Sequence, residues 1–299
     1  YFLKKNISFF SGVPDSVLKN FTRELDFSKK IEHYICVNEG SAVGMAIGNY
    51  LKTKKISLVY LQNSGLGNLI NPALSLLDPE VYGIPMVLII GWRGELDGSG
   101  AQVADEPQHK KQGQITLNTL NAMGMPYRIV DTNTGDWQGL IVDIINVAKD
   151  RKCPVAIVFK KNSFTKFEKL SERPNQGTMI SREQAIESIV KSSSEKDIFI
   201  ASTGMISREL FEIRAKNNMP HKTDFLTVGG MGHSSQIAVE VAKSVPDERV
   251  ICLDGDGSLL MHCGGMAECA NTPNLTHVVL NNGAHDSVGG QPTKGFDVN

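Results

Sequence analysis

The segment Arg249–Gln291, RVICLDGDGSLLMHCGGMAECANTPNLTHVVLNNGAHDSVGGQ, constrains this chain more than any other. An apolar run ends in Gly255-Asp256-Gly257, a mixed helical stretch follows, and a second apolar run ends in Asn281-Asn282. Val250–Leu253 and His277–Leu280 are expected to be buried parallel strands, joined by a helix over Ser258–Ala270. Asp256 and Asn282 then stand at the carboxyl ends of two strands, where open α/β sheets bind ligands. Gly255 and Gly257 allow close approach of the backbone to a phosphate, and the helix N-terminus behind them favours an anion. A carboxylate and an amide oxygen suit Mg²⁺ bridging a diphosphate. An EF-hand does not fit, because counting from Asp254 puts Leu259 where that loop needs glycine.

Composition narrows the class. The 299 residues are 41% hydrophobic with a net charge of −1, which suits a soluble globular protein of about two domains. The charge balance argues against a nucleic-acid surface. No apolar run reaches membrane-span length, and the first residues lack a signal-peptide pattern. Five scattered cysteines without a CxxC pair read as reduced thiols of a cytoplasmic protein.

Apolar runs alternate with amphipathic segments, the signature of parallel α/β domains. Candidate strands in the first half are 7–10, 33–37, 56–61, 86–90, 127–130 and 155–159. Helices are expected at 16–25, 39–51, 66–77, 115–123 and 137–149. The polar stretch 161–178 reads as a linker between a first domain, 1–160, and a second, 179–299. Ser181 to Gln184 has the form of a capping box opening a helix to Lys191. Strands at 198–201, 225–228, 250–253 and 277–280 and a helix at 233–243 follow. Few residues come after Asn282 and the chain opens on Tyr1. Truncation at both ends is therefore expected, leaving the second domain incomplete.

Two further stretches carry candidate chemistry. Glu39 opens a helix with small residues at 40, 42, 44, 46 and 48, a pattern that permits close packing on one face. The 91–111 stretch reads as a long polar loop beyond a strand's carboxyl end. There Arg93 offers a planar fork for a phosphonate, sulfonate or carboxylate, and His109 a proton shuttle near neutral pH.

GDGS followed by Asn281-Asn282 resembles the motif of thiamine diphosphate (ThDP) enzymes. That resemblance implies two doubly wound α/β domains, one binding the pyrimidine and one the diphosphate. It implies metal ligands at Asp256, Asn282 and the backbone oxygen of Ala284, with Gly255, Gly257 and Ser258 at the diphosphate. Glu39 resembles the Glu that hydrogen-bonds the aminopyrimidine and promotes its imino tautomer. Gly229–His233 resembles the segment in which Gly230 and Met231 support the bent cofactor. In that superfamily each site draws on two subunits, which implies a homo-oligomer.

SGVPDS at 11–16, DEPQHKKQG at 105–113 and NNGAHDSVGGQPT at 281–293 resemble the phosphonopyruvate and sulfopyruvate decarboxylase family, which lacks a middle domain. The likeness implies decarboxylation of 3-phosphonopyruvate to phosphonoacetaldehyde and CO₂, a step of phosphonate biosynthesis. The alternatives are sulfopyruvate as substrate, or a binding subunit without catalysis. An acetolactate-synthase type is disfavoured by the missing middle domain. Asp15 or Ser16 either faces the reacting carboxylate or caps the following helix. His285, Asp286 and Ser287 are the remaining substrate candidates, and His262 is either at the site or buried.

Overall fold

The structure is a computed structural model and describes residues 1–167 and 180–296. It divides into two compact units, 1–172 and 173–299. Most of the expected linker lies outside the described residues. Its first part packs on the first unit, where Phe164 lies against Phe21 and Phe159.

The first unit holds strands β1 (Phe9–Gly12), β2 (Glu32–Ile35), β3 (Ser57–Gln62), β4 (Met86–Gly91), β5 (Tyr127–Val130) and β6 (Pro154–Phe159). They form one parallel sheet in the order β2-β1-β3-β4-β6-β5. β4 and β6 are buried along their whole length, which explains their continuous apolar runs. The main helices are α1 (Lys19–Asp26), α2 (Glu39–Thr53), α3 (Leu66–Pro72), α4 (Pro107–Ala122) and α5 (Trp137–Arg151). Two apolar clusters cover the sheet, one holding Phe10, Leu58 and Val155, the other Val59, Leu88 and Val158. Alternate residues of the same strands thus serve opposite faces.

Three expectations need correction here. Residues 107–111 are not loop but the first turns of α4, started by Pro107 in its first turn. The small residues of α2 do not share a face. Ala42 and Ala46 are buried, whereas a side chain at Gly44 or Gly48 would meet open space. A spacing of two residues turns about 200° on a helix, so it alternates between faces. The helix expected at 66–77 is α-helical only to Pro72 and continues as a π-helical turn over Ala73–Leu77.

The second unit carries β7 (Ile198–Ala201), β8 (Asp224–Leu226), β9 (Val250–Gly255) and β10 (Leu275–Leu280), all parallel, in the order β10-β9-β7-β8. Its helices are α6 (Arg182–Ser192), α7 (Met205–Lys216), α8 (Ser234–Ser244), α9 (Asp256–Met261) and α10 (Met266–Cys269). α6 opens with the full reciprocal Ser181–Gln184 capping box. A short antiparallel pair, β11 (Ala284–His285) and β12 (Gln291–Pro292), completes it. β9 is buried as expected, while β10 stands at the edge of the sheet among the described residues, with Val279 exposed. The single helix expected over 258–270 is broken. α9 stops at Met261, a 3₁₀ turn covers Cys263–Gly265, and α10 follows. Adjacent glycines Gly264 and Gly265 account for the interruption.

Candidate cofactor and active site

In the second unit, strand register explains why two distant motifs meet. Leu280 pairs with Gly255, so the Asn281-Asn282 step leaves the sheet beside the start of α9. Asp256 is the first residue of that helix and is buried. Burial raises its carboxyl pKa, against hydrogen bonds from Thr293 and from the backbone of Asn282. Asp254, two residues before, anchors the turn by accepting from Gly255 N at 2.9 Å and facing His277 Nε2 at 3.3 Å.

The candidate residues around Gly257 come together. A β-carbon there would lie 3.0 Å from His285 Cε1 and 3.4 Å from Met231 Cε, so a side chain would crowd both. Ser258 Oγ accepts from Gly232 N at 3.1 Å, tying the turn after β8 to α9. Gly230 in that turn has φ 64°. Burial depresses the pKa of His285 to about 4, so its imidazole is neutral at physiological pH. Ser287 is exposed and lies near the turn at Gly204. His262 packs on His233, ring centroids 4.6 Å apart, and against Gly232.

Arg182 and Glu209 lie outside the motifs, and Thr293, the last residue of the 281–293 stretch, is not singled out within it, yet all three bond candidate site residues or one another. Arg182 donates to both oxygens of Glu209, at 2.8 and 2.7 Å, and to Asp286 Oδ2 at 2.9 Å. The same Asp286 oxygen accepts from Asn282 Nδ2 at 2.7 Å, leaving the Asn282 amide oxygen toward Ala284 N at 3.1 Å. Thr293 donates its hydroxyl to Asp256 Oδ2. No sequence signal pairs Arg182 with residues about a hundred positions away. A carboxylate, an amide oxygen and main-chain oxygens form a hard donor set, and the Gly257 cradle admits only main chain. Both features fit a Mg²⁺–diphosphate group, with Asp256, Asn282 and Ala284 as its candidate holders.

In the first unit, Asn38 caps α2 by accepting from Ser41 N at 2.8 Å, and Glu39 follows as its first residue. Glu39 is 5% exposed and accepts from Asn68 Nδ2 at 2.7 Å. Burial raises its pKa, so a proton is held there more readily than on a surface Glu. Gly65 has an ordinary helical backbone, φ −77°. Its need is for space, since a β-carbon would stand 2.1 Å from Glu39 Oε1. Gly65, in the turn after β3, and Asn68, in the first turn of α3, are therefore part of the Glu39 environment.

A second group gathers at the carboxyl ends of β1 and β4. Asp15 is fully buried and caps the following turn, its Oδ2 accepting from Val17 N and Leu18 N at 3.0 and 3.1 Å. Burial lifts its pKa from 3.8 to about 6, against those bonds and the charge of Arg93. Its Oδ1 is buried without a hydrogen-bond partner. The Arg93 fork grips Asp105 at 3.0 and 2.6 Å, and its third nitrogen donates to Ser16 Oγ at 2.9 Å. That pairing holds Asp105 well below the usual carboxylate range. His109 on α4 is buried, 3.9 Å from Glu106, with Nδ1 unpartnered and its pKa lowered by burial.

Residues 1–120 match the family "Thiamine pyrophosphate enzyme, N-terminal TPP binding domain", and residues 200–299 the corresponding C-terminal TPP binding domain. Phosphonopyruvate decarboxylase of Streptomyces viridochromogenes is 31% identical over 95% of this chain and 72% of its own length. That of Streptomyces hygroscopicus is 30% identical, over 95% and 71%. Sulfopyruvate decarboxylase subunit alpha of Methanococcus maripaludis is 34% identical over 52% of this chain and 87% of its own. Both domain matches and both relatives that align with 95% of this chain point the same way, and the chain belongs to the phosphonopyruvate decarboxylase family of thiamine pyrophosphate enzymes.

Proposed function

We propose that this protein decarboxylates 3-phosphonopyruvate to phosphonoacetaldehyde and CO₂, using ThDP held through Mg²⁺. The observation that carries the reading furthest is the likeness to two phosphonopyruvate decarboxylases across 95% of the chain. Bound ThDP supplies the carbanion equivalent that adds to a 2-oxo group and accepts the electrons released with CO₂.

The chain's own residues do the rest. Glu39, buried and with a raised pKa, holds the proton that the aminopyrimidine N1′ needs. Asn68 fixes the direction of that carboxyl group, and Gly65 keeps space for it. Asp256, Asn282 and the Ala284 carbonyl would hold the metal, while Arg182 and Asp286 orient the Asn282 amide. Met231 and Gly230 would support the cofactor beside Gly257. Neutral His285, with Asp286 and Ser287, would face the substrate from this unit. From the first unit Asp15, Ser16 and His109 are the groups that could exchange a proton with it, Asp15 with a pKa of about 6 suiting acid and base roles alike.

A homo-oligomer and a cytoplasmic location belong to the same reading. Among the described residues no helix is long and apolar enough to cross a membrane. Sulfopyruvate is the second reading, because a sulfopyruvate decarboxylase subunit matches half of the chain. Aldehyde release from phosphonopyruvate, sulfopyruvate and pyruvate, measured with ThDP and Mg²⁺, separates them. Preference for phosphonopyruvate is expected, and turnover of none of the three would overturn the assignment.

A further inference from the structure

At the carboxyl edge of the six-stranded sheet lies a cavity of about 200 Å³. Its walls come from the segment after β1 (Ser16, Lys19, Asn20), from Arg93 after β4 and from Lys161 and Asn162 after β6. We propose that this cavity seats the phosphonate group of the substrate, with Lys19 and Lys161 as the residues that select for it. The proposal rests on the decarboxylase reading above and adds the subsite for the substrate's second anion.

The charges around the cavity support an anionic guest. Three cations, Lys19, Arg93 and Lys161, border it, and two carboxylates touch that set: Asp105, paired with Arg93 and Lys161, and Glu95, whose Oε2 accepts from the Lys161 backbone N–H at 2.7 Å. Asp105 is already engaged by the Arg93 fork, by Gly94 N at 2.8 Å and by Glu106 N at 2.8 Å. Lys161 Nζ stands 3.2 Å from Asp105 and is about a third exposed, so it keeps donors for a further acceptor. No ion pair engages Lys19 among the described residues. Arg93 works differently from the sequence expectation. Its fork is committed to Asp105 and Ser16, which makes it a fixed positive wall rather than a free clamp.

Geometry supplies the other half. The carboxyl ends of parallel strands are where such sheets bind ligands, and three of them converge here. Asn162 holds a left-handed backbone, φ 64°, at the cavity rim, a conformation that asparagine tolerates better than most residues. Ser16 and the two asparagines add neutral polar groups to the ammonium donors, a mixture suited to a tetrahedral oxyanion with several acceptor oxygens. Aliphatic 2-oxoacids without a second anion gain nothing from these groups.

The test combines steady-state kinetics with direct binding. In Lys161→Ala and Lys19→Ala, kcat/KM for phosphonopyruvate relative to pyruvate should fall about ten- to a hundredfold, the range for losing one charge-assisted hydrogen bond. KM should carry most of the change. Calorimetric titration with methylphosphonate should show binding to the parent protein, a weakening of about tenfold or more in each alanine variant, and recovery in Lys161→Arg. Thermal melting checks that each variant is folded. An unchanged substrate ratio, or methylphosphonate affinity equal to the parent's, overturns the proposal. If the parent turns over no oxoacid, the decarboxylase assignment fails, while lysine-dependent methylphosphonate binding would still establish the subsite.

Discussion

Asp15 offers a thermodynamic test of how this site is built. Its carboxyl group is fully buried, accepts two backbone N–H bonds through one oxygen and leaves the other oxygen without a partner. Burial outweighs those bonds and lifts its pKa from 3.8 to about 6. Because the folded-state pKa is raised, the folded protein binds the proton more tightly than the unfolded chain. Stability is therefore full below about pH 4 and is lost as pH rises through about 6. At 1.36 kcal/mol per pH unit, that rise amounts to about 3 kcal/mol. Asp15→Asn keeps the shape and an acceptor for Val17 N and Leu18 N but cannot ionise. It introduces a buried N–H₂ whose cost of about 1–3 kcal/mol does not depend on pH. The informative quantity is thus the difference between pH 7.5 and pH 4. Across that interval the variant should gain about 2–3 kcal/mol relative to the parent. Both tryptophans, Trp92 and Trp137, lie in the same unit as Asp15, so urea unfolding followed by fluorescence reports on the right part of the chain. Parallel pH profiles for parent and variant would show that Asp15 does not ionise with a raised pKa in the folded protein.

Other perturbations have distinct signatures. Gly65→Ala puts a β-carbon against the Glu39 carboxylate, a flexible side-chain end that can move aside. Tm should therefore change little, by less than about 1 kcal/mol of stability, while turnover falls at least about tenfold. Loss of stability with activity intact would contradict this. In the second unit Arg214 Nε stands 2.7 Å from Asp224, both almost wholly buried, with the guanidinium 4.8 Å from the Phe199 ring centroid. Arg214→Leu leaves the buried Asp224 carboxylate with only His221 Nδ1, at 3.5 Å, and should cost about 3–5 kcal/mol in chemical denaturation, and a second change, Asp224→Leu, should recover much of it. A neutral single variant would refute that account.

What the sequence made legible follows from local physics. β4 and β6 are bounded to within a residue because strands buried on both faces are continuous apolar runs. The GDG and NN motifs are adjacent because parallel register puts Leu280 beside Gly255. Less legible were elements whose cause is tertiary. The N-terminal turns of α4 look like a polar loop, since Pro107, Gln108, Lys110 and Lys111 show no apolar period before Thr116 and Leu120 are buried. α7 escapes the pattern reading because Phe211 is exposed while Arg214 is buried, the reverse of what residue type suggests. β10 reads as a core strand, and among the described residues it pairs with β9 alone. Within the site, single-residue candidates such as Glu39 and Asp256 stand out at element starts. Their partners Asn68, Gly65 and Thr293, and the Arg182 that bonds Asp286, come from other elements, and only the folded chain brings them together.

We propose that Glu39 governs proton placement on the cofactor and that Asp256, Asn282 and Ala284 hold its metal. Glu39→Gln tests this most directly, because the amide keeps size and polarity but cannot hold or release the proton. ThDP binding in the presence of Mg²⁺, measured by calorimetry, should stay within a few-fold of the parent. Decarboxylation of phosphonopyruvate should fall by about 10²-fold or more. Parent-level turnover in Glu39→Gln would contradict the account.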